Sequence, residues 1–199
     1  FAFIPNAVIM NSLGVYADPA IDHRYHLDGE LTVADAYDST LGWRTILVGT
    51  LGRAGRGIYA LDITDPSAIK LLWEHDAASL PEIGNVLGKP VIAQIANGTW
   101  SVIFGNGPNN TGGQARLIML SAFTGAKTVV SVGTGTNGYL SAPYTWDQDN
   151  NGFFETVYVG TAHDAGGSLW RITNLSASPS PRQIFSTQAG QKITAAPVV

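Results

Sequence analysis

The chain has 199 residues, with 15 acidic against 11 basic side chains, a formal net charge of −4 and no cysteine. That length is one domain's worth of chain, the charge offers a phosphate backbone no electrostatic footprint, so nucleic acid is not an expected partner, and the missing cysteine excludes a disulfide framework, a cysteine-ligated zinc and a thiol nucleophile. Charged residues make up only 13%, while 23 glycines and 10 prolines favour a turn-rich fold over surface helices, and no stretch nears the roughly 18 apolar residues of a membrane-spanning helix.

The chain opens on Phe1, which is not a translation start. A processed piece or an excised part of a longer protein is therefore expected, with any signal peptide outside it. FAFIPNAVIM, residues 1–10, reads as a strand, and residues 1–31 as a lead-in to a repeat. The repeat is carried by four kinds of apolar run. The first kind begins at Thr32 (TVADAY), Pro90 (PVIAQI), Pro143 (PYTWD) and Pro197 (PVV), at intervals of 58, 53 and 54 residues. The second ends on glycine: TILVG at Gly49, SVIFG at Gly105 and TVYVG at Gly160. IYALD from Ile58, LIMLS from Leu117 and LWRIT from Leu169 follow, and then LLWEH, TVVSV and QIFST behind turn signals.

Four short strands per 50–60 residues, separated by Gly, Pro, Asn and Asp, is the pattern of a propeller blade. Helical periodicity is absent apart from a single turn expected in SLPEIGNVLG, residues 79–88. The reading is an all-β chain forming part of a β-propeller: blades at 32–89, 90–142 and 143–196, with 197–199 starting the next. Three blades do not close a ring, so a larger propeller is implied. An open stack of meanders or a sandwich is the alternative architecture.

The constellation that carries chemistry is WDQDNNGFFE, where Asp147, Asp149, Asn151 and Glu155 occupy positions 1, 3, 5 and 9 of a loop between two strands. Ca2+ takes six to eight hard oxygens at about 2.3–2.6 Å, and alternating positions in a tight loop turn successive oxygens toward one centre. Gly152 lets the backbone bend, the Phe153 carbonyl stands where a main-chain ligand is needed, and Glu155 closes the set. A full EF-hand is not met, because the glutamate comes early and a strand follows. The competing reading is a hairpin turn whose acids face water.

Other candidates are weaker. GTGTNG, residues 133–138, matches a dinucleotide fingerprint literally, but Tyr139 to Pro143 cannot open the required helix, so it reads as a loop between blades. Arg53 and Arg56 in LGRAGRG read as a solvated hairpin, with a phosphate or carboxylate grip as the alternative. His23, His26, His75 and His163 lack paired metal spacing, and His163-Asp164 is a general-base candidate without a recognisable nucleophile. The five tryptophans, Trp43, Trp73, Trp100, Trp146 and Trp170, recur near strand positions and are expected to pack between blades.

Several segments in order, FAFIPNAV, HRYHLDGELTVADAY, WRTILVGTLGRAGRGIYALDITDP, WSVIFGNG and then VYVGTAHDAGGSLWRI after the acidic loop, resemble the C-terminal propeller of PilY-type proteins. These are type IV pilus biogenesis factors and tip adhesins, and the likeness runs from Phe1 to about Ile172. The resemblance implies a modified, seven-bladed propeller of which this chain holds under half. It implies an exported, non-enzymatic protein at the pilus tip, cell surface or outer membrane and periplasm. Minor pilins of the tip complex are the implied partners, with contact to host or abiotic surfaces and a part in twitching motility. The family's calcium loop, Asp-x-Asp-x-Asn-x-x-x-Asp, is matched by Asp147, Asp149 and Asn151, with Glu155 in the last place. In the family, occupancy of that loop shifts the balance between pilus extension and retraction.

Two rival readings are weighed against this one. GIYALDITDP also resembles blades of pyrroloquinoline-quinone dehydrogenases, but those enzymes draw Ca2+ and cofactor ligands from several blades rather than from one loop. An integrin-like propeller repeats its acidic loop, and the corresponding segments ADAYDSTLG and AQIANGTW lack the spacing.

Overall fold

The computed structural model describes residues 2–11, 13–135 and 138–198. Three antiparallel sheets follow one another along the chain, each built from strands consecutive in sequence. The first holds β1 (Leu31–Asp38), β2 (Gly42–Thr50), β3 (Gly57–Asp62) and β4 (Lys70–Asp76). The second holds β5 (Val91–Ala96), β6 (Thr99–Gly105), β7 (Arg116–Ser121) and β8 (Lys127–Ser131). The third holds β10 (Tyr144–Trp146), β11 (Thr156–His163), β12 (Ser168–Thr173) and β13 (Ser180–Ser186), with a short β9 (Gly138–Leu140) pairing the far end of β11. Strand β5 lies beside both β1 and β10. First strands brought side by side, with one meander per sheet, is the arrangement of propeller blades about a common axis.

The second blade shows why its strands read as unbroken apolar runs. On β6, Val102 and Phe104 face the first blade, and Ile103 faces the third. On β7, Ile118 and Leu120 point one way, and Leu117 and Met119 the other. Successive side chains alternate across a strand, so a sheet buried on both faces needs apolar residues at every position. Two cores result. One joins Ile46, Val48, Ile58 and Trp73 of the first blade to Phe104 and Leu120 of the second. The other joins Ile103, Leu117 and Met119 to Val157, Val159 and Ile172 of the third.

The glycines that end the second runs have a reason in packing. A Cβ on Gly105 would stand 2.0 Å from the Ser141 carbonyl oxygen, and one on Gly160 would stand 2.3 Å from the Ile193 side chain. Each lets the chain leaving a blade cross close over the preceding strand. Three of the five tryptophans join the first blade to the second: Trp73 Nε1 donates to the Ala122 carbonyl over 3.0 Å, and Trp43 and Trp100 meet edge to face at 6.2 Å between centroids, whereas Trp146 lies against Tyr158 of its own blade.

One local expectation needs correction. Within FAFIPNAVIM, Asn6–Asn11 form an α-helix, α1, rather than a strand, while Phe1 lies outside the described residues. Pro5 is pre-set for a helix start; its carbonyl accepts from Val8 N (3.0 Å) and Ile9 N (3.2 Å). Ala7 and Val8 then cover Leu51. Residues 79–88 hold the expected single turn, closed by Ile83 N and the Leu80 carbonyl (3.0 Å), and Leu80, Ile83 and Val86 insert into the first core. Of residues 197–199, read above as the start of a further blade, Pro197 and Val198 carry no strand assignment and Val199 lies outside the described residues.

Candidate metal-binding loop

Strands β10 and β11 pair through Trp146 and Thr156, so the nine residues between them form a closed loop at one end of the third blade. Its path is fixed by its own carboxylates. Asp147 accepts from Asn151 N through Oδ1 (3.1 Å) and from Gly152 N through Oδ2 (2.8 Å). Asp149 accepts from Asn151 N (3.2 Å) and from Asn151 Nδ2 (3.0 Å), while Asn151 Oδ1 accepts from Phe153 N (2.7 Å). Glu155 Oε2 accepts from Gln148 N (3.1 Å), tying the last residue to the start. Asn150 at φ 57° and Gly152 at φ 89° provide the left-handed bends that wrap the loop.

Asp147, Asp149 and Glu155 each bring one carboxylate oxygen to within 4.8 Å of the others. Donors that share one ion at about 2.3–2.6 Å sit no more than about 5 Å apart, so these spacings fit a hard cation. Glu155 Oε1 is buried and has no hydrogen-bond partner. A buried, unpaired carboxylate oxygen is costly, and three converging carboxylates repel one another unless a cation joins them. The residues present therefore fit Ca2+ chemically. Asn151 and Phe153, the remaining predicted ligands, lie in the same loop, with the Asn151 side-chain oxygen engaged by Phe153 N–H.

Supports from outside the loop escaped the spacing argument. Arg171 Nη2 on β12 donates to Gln148 Oε1 (3.2 Å), and Phe154 N donates to the Gln94 carbonyl of the second blade (2.8 Å). Both partners are distant from the loop in sequence, and neither belongs to its acidic motif.

The weaker candidates have structural roles. Arg56 is not a solvated hairpin residue: it donates to the carbonyls of Ile83 (2.7 Å) and Pro81 (2.8 Å) and to Thr111 Oγ1 (2.8 Å). Arg53 stays exposed beside Asp28 and over the Tyr25 ring. His163 Nδ1 accepts from Ala165 N (3.0 Å) within its own hairpin. Asp164 pairs with Lys192 at 2.9 Å, and that hydrogen bond holds its carboxyl below the ordinary carboxylate range. Of GTGTNG, Gly133 to Gly135 run between β8 and β9, and Thr136 and Asn137 lie outside the described residues. Among the described residues, no helix is long and apolar enough to cross a membrane.

Known proteins are similar to most or all of this chain. The family profile described as the PilY1 beta-propeller domain matches residues 14–198. The chain belongs to this PilY1 beta-propeller family. A type IV pilus biogenesis factor PilY1 homolog from Xylella fastidiosa is 50% identical over 173 residues, covering 87% of this chain and 14% of the relative. The type IV pilus biogenesis factor PilY1 of Pseudomonas aeruginosa is 36% identical over 191 residues, covering 94% of this chain and 16% of the relative. The crystal structure of the Pseudomonas aeruginosa PilY1 C-terminal domain superposes with a TM-score of 0.78 at 33% identity, over 100% of this chain and 45% of that one. The chain thus spans about one-seventh of the curated PilY1 relatives it matches, and under half of the solved PilY1 domain.

Proposed function

We propose that this chain is a calcium-binding propeller module of a type IV pilus biogenesis and tip-adhesin protein, acting without catalysis. The observation that carries the calcium part is the convergence of Asp147, Asp149 and Glu155 within 4.8 Å of one another, with Glu155 Oε1 buried and unpaired. The pilus part rests on family membership and on relatives named as pilus biogenesis factors.

Asp147, Asp149 and Glu155 hold the ion, with the side chain of Asn151 and the carbonyl of Phe153 completing the oxygen set. Bound Ca2+ supplies positive charge that offsets the repulsion among the three carboxylates. Gly152 permits the bend, and Gln148 N–H keeps Glu155 turned toward the two aspartates. Ordering this loop presents a different surface to minor pilins of the tip complex and so biases pilus extension against retraction. An exported location at the pilus tip or cell surface goes with that role, as does attachment to host or abiotic surfaces. The three carboxylates come from a single interstrand loop, which favours this reading over a quinoprotein centre assembled from several blades.

Thermal unfolding of the complete protein tests the site, with calcium and with chelator, on wild type and on Asp149→Ala. Calcium at a hundred times its dissociation constant stabilises by about 2.7 kcal/mol. The expected result is a calcium-dependent rise in melting temperature that the substitution abolishes. Identical melting of both proteins in both conditions would overturn the calcium reading.

A further inference from the structure

We infer that calcium binding is coupled to the docking of the second blade on the third through Phe154 and Gln94, which makes Phe154 a positioning residue for the metal loop. The inference rests on the calcium reading of the loop at Asp147 to Glu155. That loop belongs to the third blade, yet its last turn is held by the second. Phe154 N–H donates to the Gln94 carbonyl over 2.8 Å. Strand β5 is the edge of its sheet, so its outward carbonyls are available to a neighbour. Its pairing with β6 shifts register between Gln94 and Ala96, a bulge of the kind that re-aims backbone groups.

The Phe154 ring makes the same connection by packing. It lies against the core that contains Ala93 and Ile95 of the second blade and Val157 of the third. Glu155 follows immediately, and adjacent Cα atoms are fixed about 3.8 Å apart, so Glu155 does not move independently of this anchor. On its other side Glu155 accepts from Gln148 N, and Gln148 is held by Arg171. The carboxylate with the unpaired buried oxygen is thus set between the seam and the start of its own loop. Coupling between two equilibria is reciprocal: a docked seam raises calcium affinity, and bound calcium tightens the seam.

The same seam continues at the far end of β11. Gly107 N of the second blade donates to the Leu140 carbonyl (3.3 Å), and Leu140 N donates to Asn106 Oδ1 (3.1 Å). These amides report docking at a distance from the metal loop. Ala122 N, bonded to the Trp100 carbonyl within the second blade (2.9 Å), serves as the control.

The test is amide hydrogen exchange on the full-length protein, with calcium and with chelator, beside terbium luminescence sensitised by Trp146 and displaced by calcium. The expected result is exchange slowed at least tenfold at Phe154 and measurably at Gly107, with Ala122 unchanged. Phe154→Ala is expected to weaken calcium binding about tenfold and Phe154→Leu to recover most of it. Calcium that displaces terbium from wild type while Gly107 exchange stays unchanged would overturn the coupling and leave the site standing. Wild-type affinity in Phe154→Ala would do the same. Terbium that neither binds nor is displaced would overturn the site and the coupling together. If Phe154→Ala does not fold, wild-type exchange alone decides.

Discussion

Arg56 Nε donates to the carbonyl of Ile83 over 2.7 Å, and this single side chain ties the β2–β3 hairpin to the segment that leads into the second blade. Its Nη2 reaches Pro81 O and Thr111 Oγ1, each at 2.8 Å. Charged hydrogen bonds contribute about 1.5–3 kcal/mol each, with losses larger where a carbonyl is left unpaired. Arg56→Ala is expected to lower stability by about 2–4 kcal/mol, read from the urea midpoint at unchanged slope. Arg56→Lys recovers less than half, because an ammonium cannot reproduce the planar fork. Near-wild-type stability in Arg56→Ala would show that the remaining contacts, the apolar core and the Trp73–Ala122 hydrogen bond among them, hold the first two blades together without it.

Gly125 and Gly98 separate backbone strain from steric conflict. Both are left-handed, at φ +69° and +71°. A Cβ on Gly125 would stand 2.8 Å from Trp73 Cγ and 3.0 Å from His75 Nε2, whereas one on Gly98 meets nothing within 4 Å. Gly98→Ala is expected to cost about 1–2 kcal/mol, the penalty for an L-residue in that conformation. Gly125→Ala adds an overpacking term of about 1–3 kcal/mol. It also shifts Trp73 fluorescence as the Nε1 bond to Ala122 O loosens. Equal costs at the two sites would mean that Trp73 yields freely.

Much of this architecture is legible in the chain because a blade buried on both faces spells itself out. VIF (102–104) and LIML (117–120) have no polar position to lose, and the closing glycines at 105 and 160 mark where the chain must cross. The acidic loop was equally local: Asp147, Asp149 and Glu155 are brought together by a hairpin of nine residues. What spacing did not reveal depends on partners far along the chain. The apolar residues of α1 resemble a strand in sequence, and the cover that Ala7 and Val8 give Leu51, over forty residues away, favours the helix. Arg56 looked like a solvated glycine-loop residue because its acceptors are main-chain carbonyls, which carry no sequence signature. Gln94 escaped notice for the same reason.

Asp76 gives the fold an acid sensitivity of known sign. Its Oδ1 accepts from Ser79 N (2.9 Å), Ala78 N (3.0 Å) and Ser79 Oγ (3.1 Å), closing the turn that delivers Leu80 to the core. The Ser79 backbone N–H is the largest cause, and the carboxyl titrates below its ordinary value. A depressed folded pKa means that the contribution is fully present above the unfolded carboxylate value of about 3.9 and is lost as pH falls through the folded one. Urea midpoints of wild type and Asp76→Asn are therefore expected to differ at pH 7 and to converge toward pH 2–3. A gap that persists in acid would assign the effect to the shape of the turn rather than to its charge.

Glu155→Gln distinguishes a metal site from a structural turn by the sign of two changes. The substitution keeps the size of the side chain and an oxygen for Gln148 N, but it removes one of three converging charges. Without metal, that charge is unfavourable, because like charges at this separation destabilise the state that holds them. In chelator, Glu155→Gln is therefore expected to melt at or above the wild-type temperature. In calcium the order reverses, since a hard cation loses a charged oxygen ligand, and terbium displacement should show calcium affinity at least tenfold weaker. A turn whose acids merely face water predicts neither the reversal nor the change in affinity. If Glu155→Gln instead melts lower in chelator and by the same margin in calcium, the carboxylate is a turn support, and the three acids do not form a calcium site.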